Sequence, residues 1–267
     1  MTPGLAVAVL AVALGAPAPP VENGRVETRA AAPGLDKAVA RIVAAAQAPT
    51  WIGWTVALDR PREMDSGDDR CSTANGLVHL QPPSEMHLLL RAEAGTVTGL
   101  RTLSPYCRID ADGAVVHWME GASAAESVAV LADLVSRTEP VGRRSLHDRA
   151  LGAIAFHAGD AATDALIDKA RRAESPDVRG QALTWLAQRA AQKAVAAIQA
   201  AVETDPEIEV KRRAVVALSR LPGGEGVPLL IQVARTSSDR RVKREAFLSL
   251  GRSHDPRALA FFETVLK

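Results

Sequence analysis

The sequence predicts an α+β domain followed by an all-α solenoid of helical repeats. Three observations carry this prediction. The last 125 residues repeat every 32 positions, which is typical of stacked helical units. Short β-type runs separated by turn-forming residues precede the repeats. The composition, with 47% hydrophobic and 24% charged residues, is that of a globular chain.

The N-terminus has the features of a secretory signal peptide, which we predict over residues 1–18. An apolar run extends from Leu5 to Leu14. It suits a signal core but is shorter than the about 20 residues that span a bilayer. We therefore expect an exported protein, periplasmic or secreted, without a transmembrane span in its mature form. An uncleaved apolar tail is the alternative. Residues 19–34 are rich in Pro, Gly and Ala and predict a linker.

Residues 35–138 predict a small α+β domain with an antiparallel sheet. Apolar residues at helical spacing follow Leu35, and Ser123 with Glu126 forms a capping-box pattern, so a helix is expected at each end of the domain. The β-type runs between these helices are Trp54–Leu58, Leu77–Leu80, Met86–Arg91, Val97–Leu103 and Ala114–Trp118.

The chain contains two cysteines, Cys71 and Cys107. In an exported protein, an even pair at this separation favours a disulfide. Two buried free thiols in a cytosolic protein are the alternative.

Four copies of a 32-residue unit fit residues 143–267. Each unit is expected to contain a first helix that buries shared apolar columns and a second helix with its own apolar stripe. The columns are Leu146, Val178, Val210, Val242; Ala150, Ala182, Ala214, Ala246; and Ile154, Leu186, Leu218, Leu250. The expected N-caps of the first helices are Ser145, Ser175, Asp205 and the Ser237–Asp239 cluster. The expected second-helix stripes are Thr163, Leu166, Ala170; Val195, Ile198, Val202; Val227, Leu230, Ala234; and Leu259, Phe262, Leu266.

The motif Ser175-Pro176-Asp177-Val178-Arg179, followed by Ala182-Leu183 and Leu186, resembles the HEAT repeat family, in particular HEAT-like units of the phycobilisome lyase type. The resemblance covers about residues 143–267. Because the family includes scaffolds, transport adaptors, bilin lyases and a few DNA glycosylases, it implies a fold more specifically than a function. Stacked repeats usually bind other macromolecules. We therefore expect a non-enzymatic protein-binding scaffold or adaptor. A lyase-type enzyme and a nucleic-acid-binding solenoid are the alternatives.

A column of basic residues is the candidate partner-binding surface. Its members and neighbours are Arg179, Lys211, Arg212, Arg213, Lys243 and Arg244. Two interpretations are open: a strip for an acidic partner, or ladders in which these residues pair with carboxylates of neighbouring units. The concave surface of the second helices is a further candidate for holding a protein or peptide. Near the C-terminus, Phe261 and its neighbour Phe262 predict an apolar surface for self-association or for a partner.

No catalytic, cofactor or metal site is predicted. The sequence has no G-x-S-x-G motif, phosphate loop or dinucleotide fingerprint. His79, His87 and His117 lie on different predicted strands and would have to converge to bind zinc. Residues 143–267 carry 21 Lys and Arg against 15 Asp and Glu, a mild excess for a nucleic-acid-binding surface. A protein or peptide is therefore the expected partner, whereas nucleic acid and cofactors are not expected.

Overall fold

The protein has an N-terminal region of strands and sheets followed by a run of helices. The computed structural model describes residues 18–62, 81–137, 145–189 and 192–265. Within these ranges no helix is long and apolar enough to cross a membrane. The apolar run of the predicted signal peptide and the predicted strand Leu77–Leu80 lie outside the described residues.

The strands form a small and a large sheet. Their bounds are β1 Val21–Glu22, β2 Arg25–Ala30, β3 Thr50–Ala57, β4 Glu85–Glu93, β5 Thr96–Leu103, β6 Ile109–Asp110 and β7 Val115–Glu120. The small sheet pairs β1 with β6, and the large sheet has the order β2-β7-β3-β4-β5. The pairs β3–β4 and β4–β5 are antiparallel, whereas β7 runs parallel to both β2 and β3.

The prediction of an antiparallel sheet is therefore wrong in part, because the large sheet is mixed. A hairpin joins β4 and β5 at Ala94 and Gly95, as the sequence predicts, and both residues have positive φ angles of 47° and 75°. By contrast, β2 and β3 are connected by helix α1, Leu35–Ala45, so that both strands run in the same direction. β7 lies between these two strands. A crossover helix of this kind produces parallel pairing.

The predicted linker over residues 19–34 is also wrong, because it contains strands β1 and β2. β2 pairs with β7 from Arg25 opposite Val115 to Ala30 opposite Glu120. As an edge strand β2 is largely exposed, and its sequence is mostly charged and polar. Charged edge strands discourage pairing between molecules. The same charges remove the apolar alternation by which a strand is recognised in sequence.

The large sheet buries both faces. Trp54 of β3 packs on the face covered by α1 and by helix α2, Ala124–Arg137. Trp51, three residues earlier, lies in a separate apolar cluster with Trp118 of β7. A Cβ at Gly53 would lie 2.6 Å from the Trp118 ring, so the close approach of these strands requires glycine.

The second apolar cluster also contains Cys107, which is buried. Cys71 lies outside the described residues, so the disulfide between them stays a prediction.

The helices after α2 alternate as the repeat predicts. The first helices of the units are α3 Leu146–Phe156, α5 Pro176–Leu186, α7 Ile208–Ser219 and α9 Arg240–Arg252. The second helices are α4 Asp160–Arg172, α6 Gln192–Thr204, α8 Gly226–Thr236 and α10 Pro256–Val265. Successive first helices pack on one another, α3 on α5, α5 on α7 and α7 on α9, while α4 packs on α6 and α8 on α10.

The second and third apolar columns read from the sequence are confirmed, and in the first column Val178, Val210 and Val242 are buried whereas Leu146 is half-buried. All four alanines of the second column are 0% exposed, and the third column, Ile154 to Leu250, is at most 1% exposed. One contiguous apolar cluster extends from Ala31 beside the sheet to Phe261 in α10. Helix α2 packs on both α3 and α4, so the sheet region and the repeats share this core.

Two of the four predicted N-caps are confirmed. The Ser175 hydroxyl accepts a hydrogen bond at the start of α5, and the Asp239 carboxylate accepts two at the start of α9. Ser145 does not cap α3, because its hydroxyl contacts the ring of His147 instead. Asp205 does not cap α7, which starts later at Ile208, because its carboxylate is occupied in an ion pair described below.

Candidate functional site

A groove of about 550 Å³ crosses the first helices. Most of its lining comes from α5 and α7, and α3 and α9 contribute one residue each. The lining residues are His147; Asp177, Gly180, Gln181 and Thr184; Glu209, Arg212, Arg213, Val216 and Arg220; and Glu245. We call this feature the first-helix groove.

Two small residues of α5 line the groove. Gly180 and Thr184 lie one turn apart on the same side of the helix. One unit later the corresponding residues are the larger Arg212 and Val216. A Cβ at position 180 would collide with Cδ of Arg213, so glycine lets the Arg213 side chain reach across α5.

The charged side chains of the groove form ion pairs between successive units. Arg213 donates to the Asp177 carboxylate, one unit earlier, at 2.8 Å. Arg212 donates to Glu245, one unit later, at 2.7 Å, and to Glu209 in its own helix at 2.9 Å. The hydrogen bond to Glu245 raises the pKa of Arg212 above its ordinary value. Arg212 and Arg213 therefore make the inter-repeat ladder, and their role in binding a partner stays a prediction.

Two polar groups of the groove have no partner among the described residues. The Gln181 Oε1 atom is buried and accepts no hydrogen bond. Arg220 is exposed at the end of α7, and its guanidinium forms no ion pair within the described ranges. Val216, one turn before Arg220, is half-buried and adds an apolar surface. The groove thus offers a hydrogen-bond acceptor, a cation and an apolar contact to a ligand.

Arg179, predicted as a binding residue, is instead part of the core. Its guanidinium donates to both carboxylate oxygens of Asp205, at 2.8 and 3.1 Å, and the two residues are only 7% and 8% exposed. It also donates to the backbone oxygens of Ala173 and Glu174 just after α4. Because it is buried and fully paired, Arg179 is not available to a partner.

The other members of the basic column differ in their surroundings. The Lys211 ammonium donates to the backbone oxygen of Glu203 at 2.8 Å. Lys243 is half-buried and Arg244 is exposed, and neither side chain has a hydrogen bond or ion pair within the described residues. The six basic residues therefore do not form one continuous strip.

Phe261, predicted as an exposed contact residue, is buried at 3% exposure. It packs against Phe247 of α9, with ring centroids 5.6 Å apart. The sequence of α10 contains two overlapping apolar stripes, and the structure buries Ala258 and Phe261 rather than the predicted Leu259 and Phe262. Leu259 is 62% exposed, so the predicted register of this helix is wrong.

The histidines of the sheet region do not assemble a metal site in the residues that the structure describes, where no group of three metal-ligating side chains comes together. His79 lies outside these residues. The His87 ring packs edge-on against Trp118, and burial lowers the pKa of His87 to about 4. His117 instead lies 3.3 Å from the Glu27 carboxylate.

Sequence reasoning missed a buried hydrogen-bond network where the sheet meets the repeats. The Trp54 Nε1 group donates to the Ser127 hydroxyl at 2.7 Å, and this hydroxyl donates to His157 Nε2 at 2.7 Å. His157 Nδ1 donates to the backbone oxygen of Ala153. Burial lowers the pKa of His157 to about 4, which keeps the ring neutral. The three side chains come from distant parts of the sequence, so no local pattern reveals them.

Comparison with known proteins identifies the helical part. Residues 163–251 and 200–267 match the family model of HEAT repeats. The match does not test the phycobilisome lyase type. A solved structure of human deoxyhypusine hydroxylase in complex with glycerol is similar at 21% identity with a TM-score of 0.38; the similarity covers 46% of this chain and 42% of that chain. At this level of likeness we carry nothing over from that protein. No curated protein matches the sequence.

Proposed function

We propose that this HEAT-repeat protein is a non-enzymatic scaffold whose stacked units form a solenoid and bind a protein or peptide along the first-helix groove. The observation that carries the proposal is the buried, unpartnered Oε1 of Gln181 in a groove that also presents Arg220. Leaving a buried acceptor unpaired costs about 1–3 kcal/mol. A ligand that donates to it recovers part of this cost.

A polypeptide has groups that complement the acceptor, the cation and the apolar side chain of this groove. Its backbone N–H groups can donate to Gln181, a carboxylate can pair with Arg220, and an apolar side chain can contact Val216. The lining contains three arginines and three carboxylates, so its charge is close to balanced. Nucleic acid requires a distinctly basic surface, and a protein or peptide therefore fits better.

The location differs from the expected binding surface on the second helices. The groove described above crosses the first helices instead. We therefore assign partner binding to the first helices.

Export is the second part of the proposal. It rests on the apolar run from Leu5 to Leu14, which is typical of a signal peptide. We accordingly propose that the partner is a periplasmic or extracellular protein. A lyase-type activity stays an untested alternative.

Affinity capture from the native envelope fraction tests the binding proposal. The baits are the wild type, Arg220→Glu, Gln181→Leu and the control Arg171→Glu, which changes an exposed arginine on α4. Proteins captured by the wild type and by the control should be absent or depleted with the two groove variants. Equal capture by all four baits would contradict the proposal.

Thermal unfolding of the same baits separates lost binding from lost folding. Gln181→Leu removes the buried amide oxygen that has no hydrogen-bond partner, so the unfolding midpoint of this variant should equal or exceed that of the wild type. A binding defect in a more stable variant assigns Gln181 to the ligand rather than to the fold.

A further inference from the structure

Helix α9 carries an exposed basic and apolar strip made of Arg241, Arg244, Leu248 and Arg252. These residues follow the spacing i, i+3, i+7 and i+11, so they share one side of the helix. All four are exposed, and Leu248 is 42% exposed despite its apolar side chain. Leu259 of α10, at 62% exposure, adds a second exposed apolar side chain in this last unit. We call the four residues of α9 the α9 strip.

Two of the corresponding positions in the preceding units are paired or less exposed. Arg212, the counterpart of Arg244, is bonded by Glu245 of α9. Gly180, the counterpart one unit earlier, lies beneath the Arg213 side chain. Val216, the counterpart of Leu248, is half-buried rather than exposed. Arg220, the counterpart of Arg252, is exposed, so the contrast with the inner units concerns the positions of Arg244 and Leu248.

The α9 strip differs from the inner columns in its charge. The counterparts of Arg241 are the acidic residues Asp177 and Glu209. Glu245 is directed towards Arg212, and Arg244 and Arg252 form no ion pair within the described residues. Cations near a helix N-terminus are unfavourable to the helix itself. Arg241 interacts with the Asp239 carboxylate, whereas the guanidiniums of Arg244 and Arg252 can pair with carboxylates of a partner.

We infer that the α9 strip docks an acidic amphipathic helix of another protein. Its carboxylates pair with Arg241, Arg244 and Arg252, as Glu245 pairs with Arg212. Its apolar side packs on Leu248, with Leu259 beside it. A symmetric dimer formed through the α9 strip would place arginines of one copy against arginines of the other. Charge repulsion therefore disfavours a second copy as the occupant.

The α9 strip shares no residue with the lining of the first-helix groove, although it lies at equivalent positions one unit later. Glu245 lines the groove, whereas Arg244 and Leu248 are not among its lining residues. Arg220→Glu in the groove and Leu248→Glu in the strip therefore test the two proposals separately.

Fluorescence anisotropy with a synthetic probe tests the inference on the full chain. The probe is a labelled peptide of about 20 residues, long enough to form a helix, with leucines along one side and glutamates flanking them. One control peptide has the same composition in shuffled order, and another has lysines in place of the glutamates. The wild type should bind only the amphipathic acidic peptide, saturably and more weakly at higher salt.

Substitutions in the strip locate the binding site. Leu248→Glu and Arg244→Glu should each weaken binding by about tenfold or more, whereas Arg220→Glu in the groove and Arg171→Glu on α4 should leave it unchanged. Because Leu248 and Arg244 are exposed, circular dichroism melting should show wild-type folding for both. Absence of saturable binding up to about 100 μM, equal binding of the lysine peptide, or full binding by Leu248→Glu would overturn the inference. So would a wild-type dimer in sedimentation that Leu248→Glu abolishes, since a second copy would then occupy the strip.

Discussion

The Arg179–Asp205 ion pair offers the most direct test of how the repeats are held together. Asp205→Ala removes the carboxylate from a guanidinium that is 7% exposed and leaves that charge buried without its counterion. Breaking a buried pair by removing one partner costs about 3–5 kcal/mol. The Asp205 carboxylate also accepts the backbone N–H of Glu207 before α7, so the substitution disturbs the loop between α6 and α7 as well.

The expected size of the effect can be measured by unfolding. A loss of about 1 kcal/mol lowers the melting temperature by roughly 2–4 °C in a chain of about 150–250 residues, so Asp205→Ala should melt roughly 6–20 °C below the wild type. Urea unfolding at pH 7, followed by circular dichroism, gives the free energy directly. The double variant Arg179→Met, Asp205→Leu leaves no buried charge, and it should be more stable than Asp205→Ala by about 1–3 kcal/mol.

Lys211 is the matched control, because it occupies the position of Arg179 one unit later. Its ammonium makes a single hydrogen bond to a backbone oxygen and is not enclosed. Lys211→Ala should therefore cost about 1 kcal/mol or less. If Asp205→Ala is no more destabilising than Lys211→Ala, the pair is not a structural element of the repeat and the reasoning fails.

Three further predictions concern stability. Ser127→Ala leaves Trp54 Nε1 and His157 Nε2 without their hydrogen-bond partner. It should lower the free energy of unfolding in urea by about 2–4 kcal/mol, and a loss below about 1 kcal/mol would contradict the importance of this network. Burial lowers the pKa values of His87 and His157 to about 4 in the folded state. The free energy of unfolding should therefore be highest above about pH 6.5 and should fall by about 3 kcal/mol for each histidine as the pH is lowered towards 4. Melting curves from pH 7 to 4 should show this decline, and a weaker one in His87→Phe. Gly251→Ala, where an added Cβ meets nothing within 4 Å, should stabilise the protein by about 0.5–1 kcal/mol, whereas Gly180→Ala should not; equal effects would contradict the proposed packing at position 180.

The repeat could be read from the sequence because each unit buries the same side of the same helix. Ala150, Ala182, Ala214 and Ala246 occupy equivalent buried positions, so burial itself imposes the period of 32. N-caps were less predictable. Ser175 and Asp239 cap their helices, but the Asp205 carboxylate is held by Arg179 from another unit, and local sequence does not encode that competition.

The remaining features depend on contacts between distant segments. Strand β2 has no apolar alternation because it lies at an exposed edge. The register of α10 depends on its packing against α8 and α9, which buries Phe261 and leaves Phe262 half-buried. The small size of Gly180 makes room for the Arg213 side chain, 33 positions later, and both residues line the first-helix groove. None of these relations is visible within one segment of sequence.

Site-specific photo-crosslinking tests the central claim that the first-helix groove binds a protein or peptide. Benzoylphenylalanine is placed at Val216 in the groove or at Ala196, an exposed residue of α6, and the chain is irradiated in the native envelope fraction. We predict a discrete crosslinked protein from position 216 and none from position 196. Adducts from position 196 alone, or equal adducts from both positions, would contradict the account.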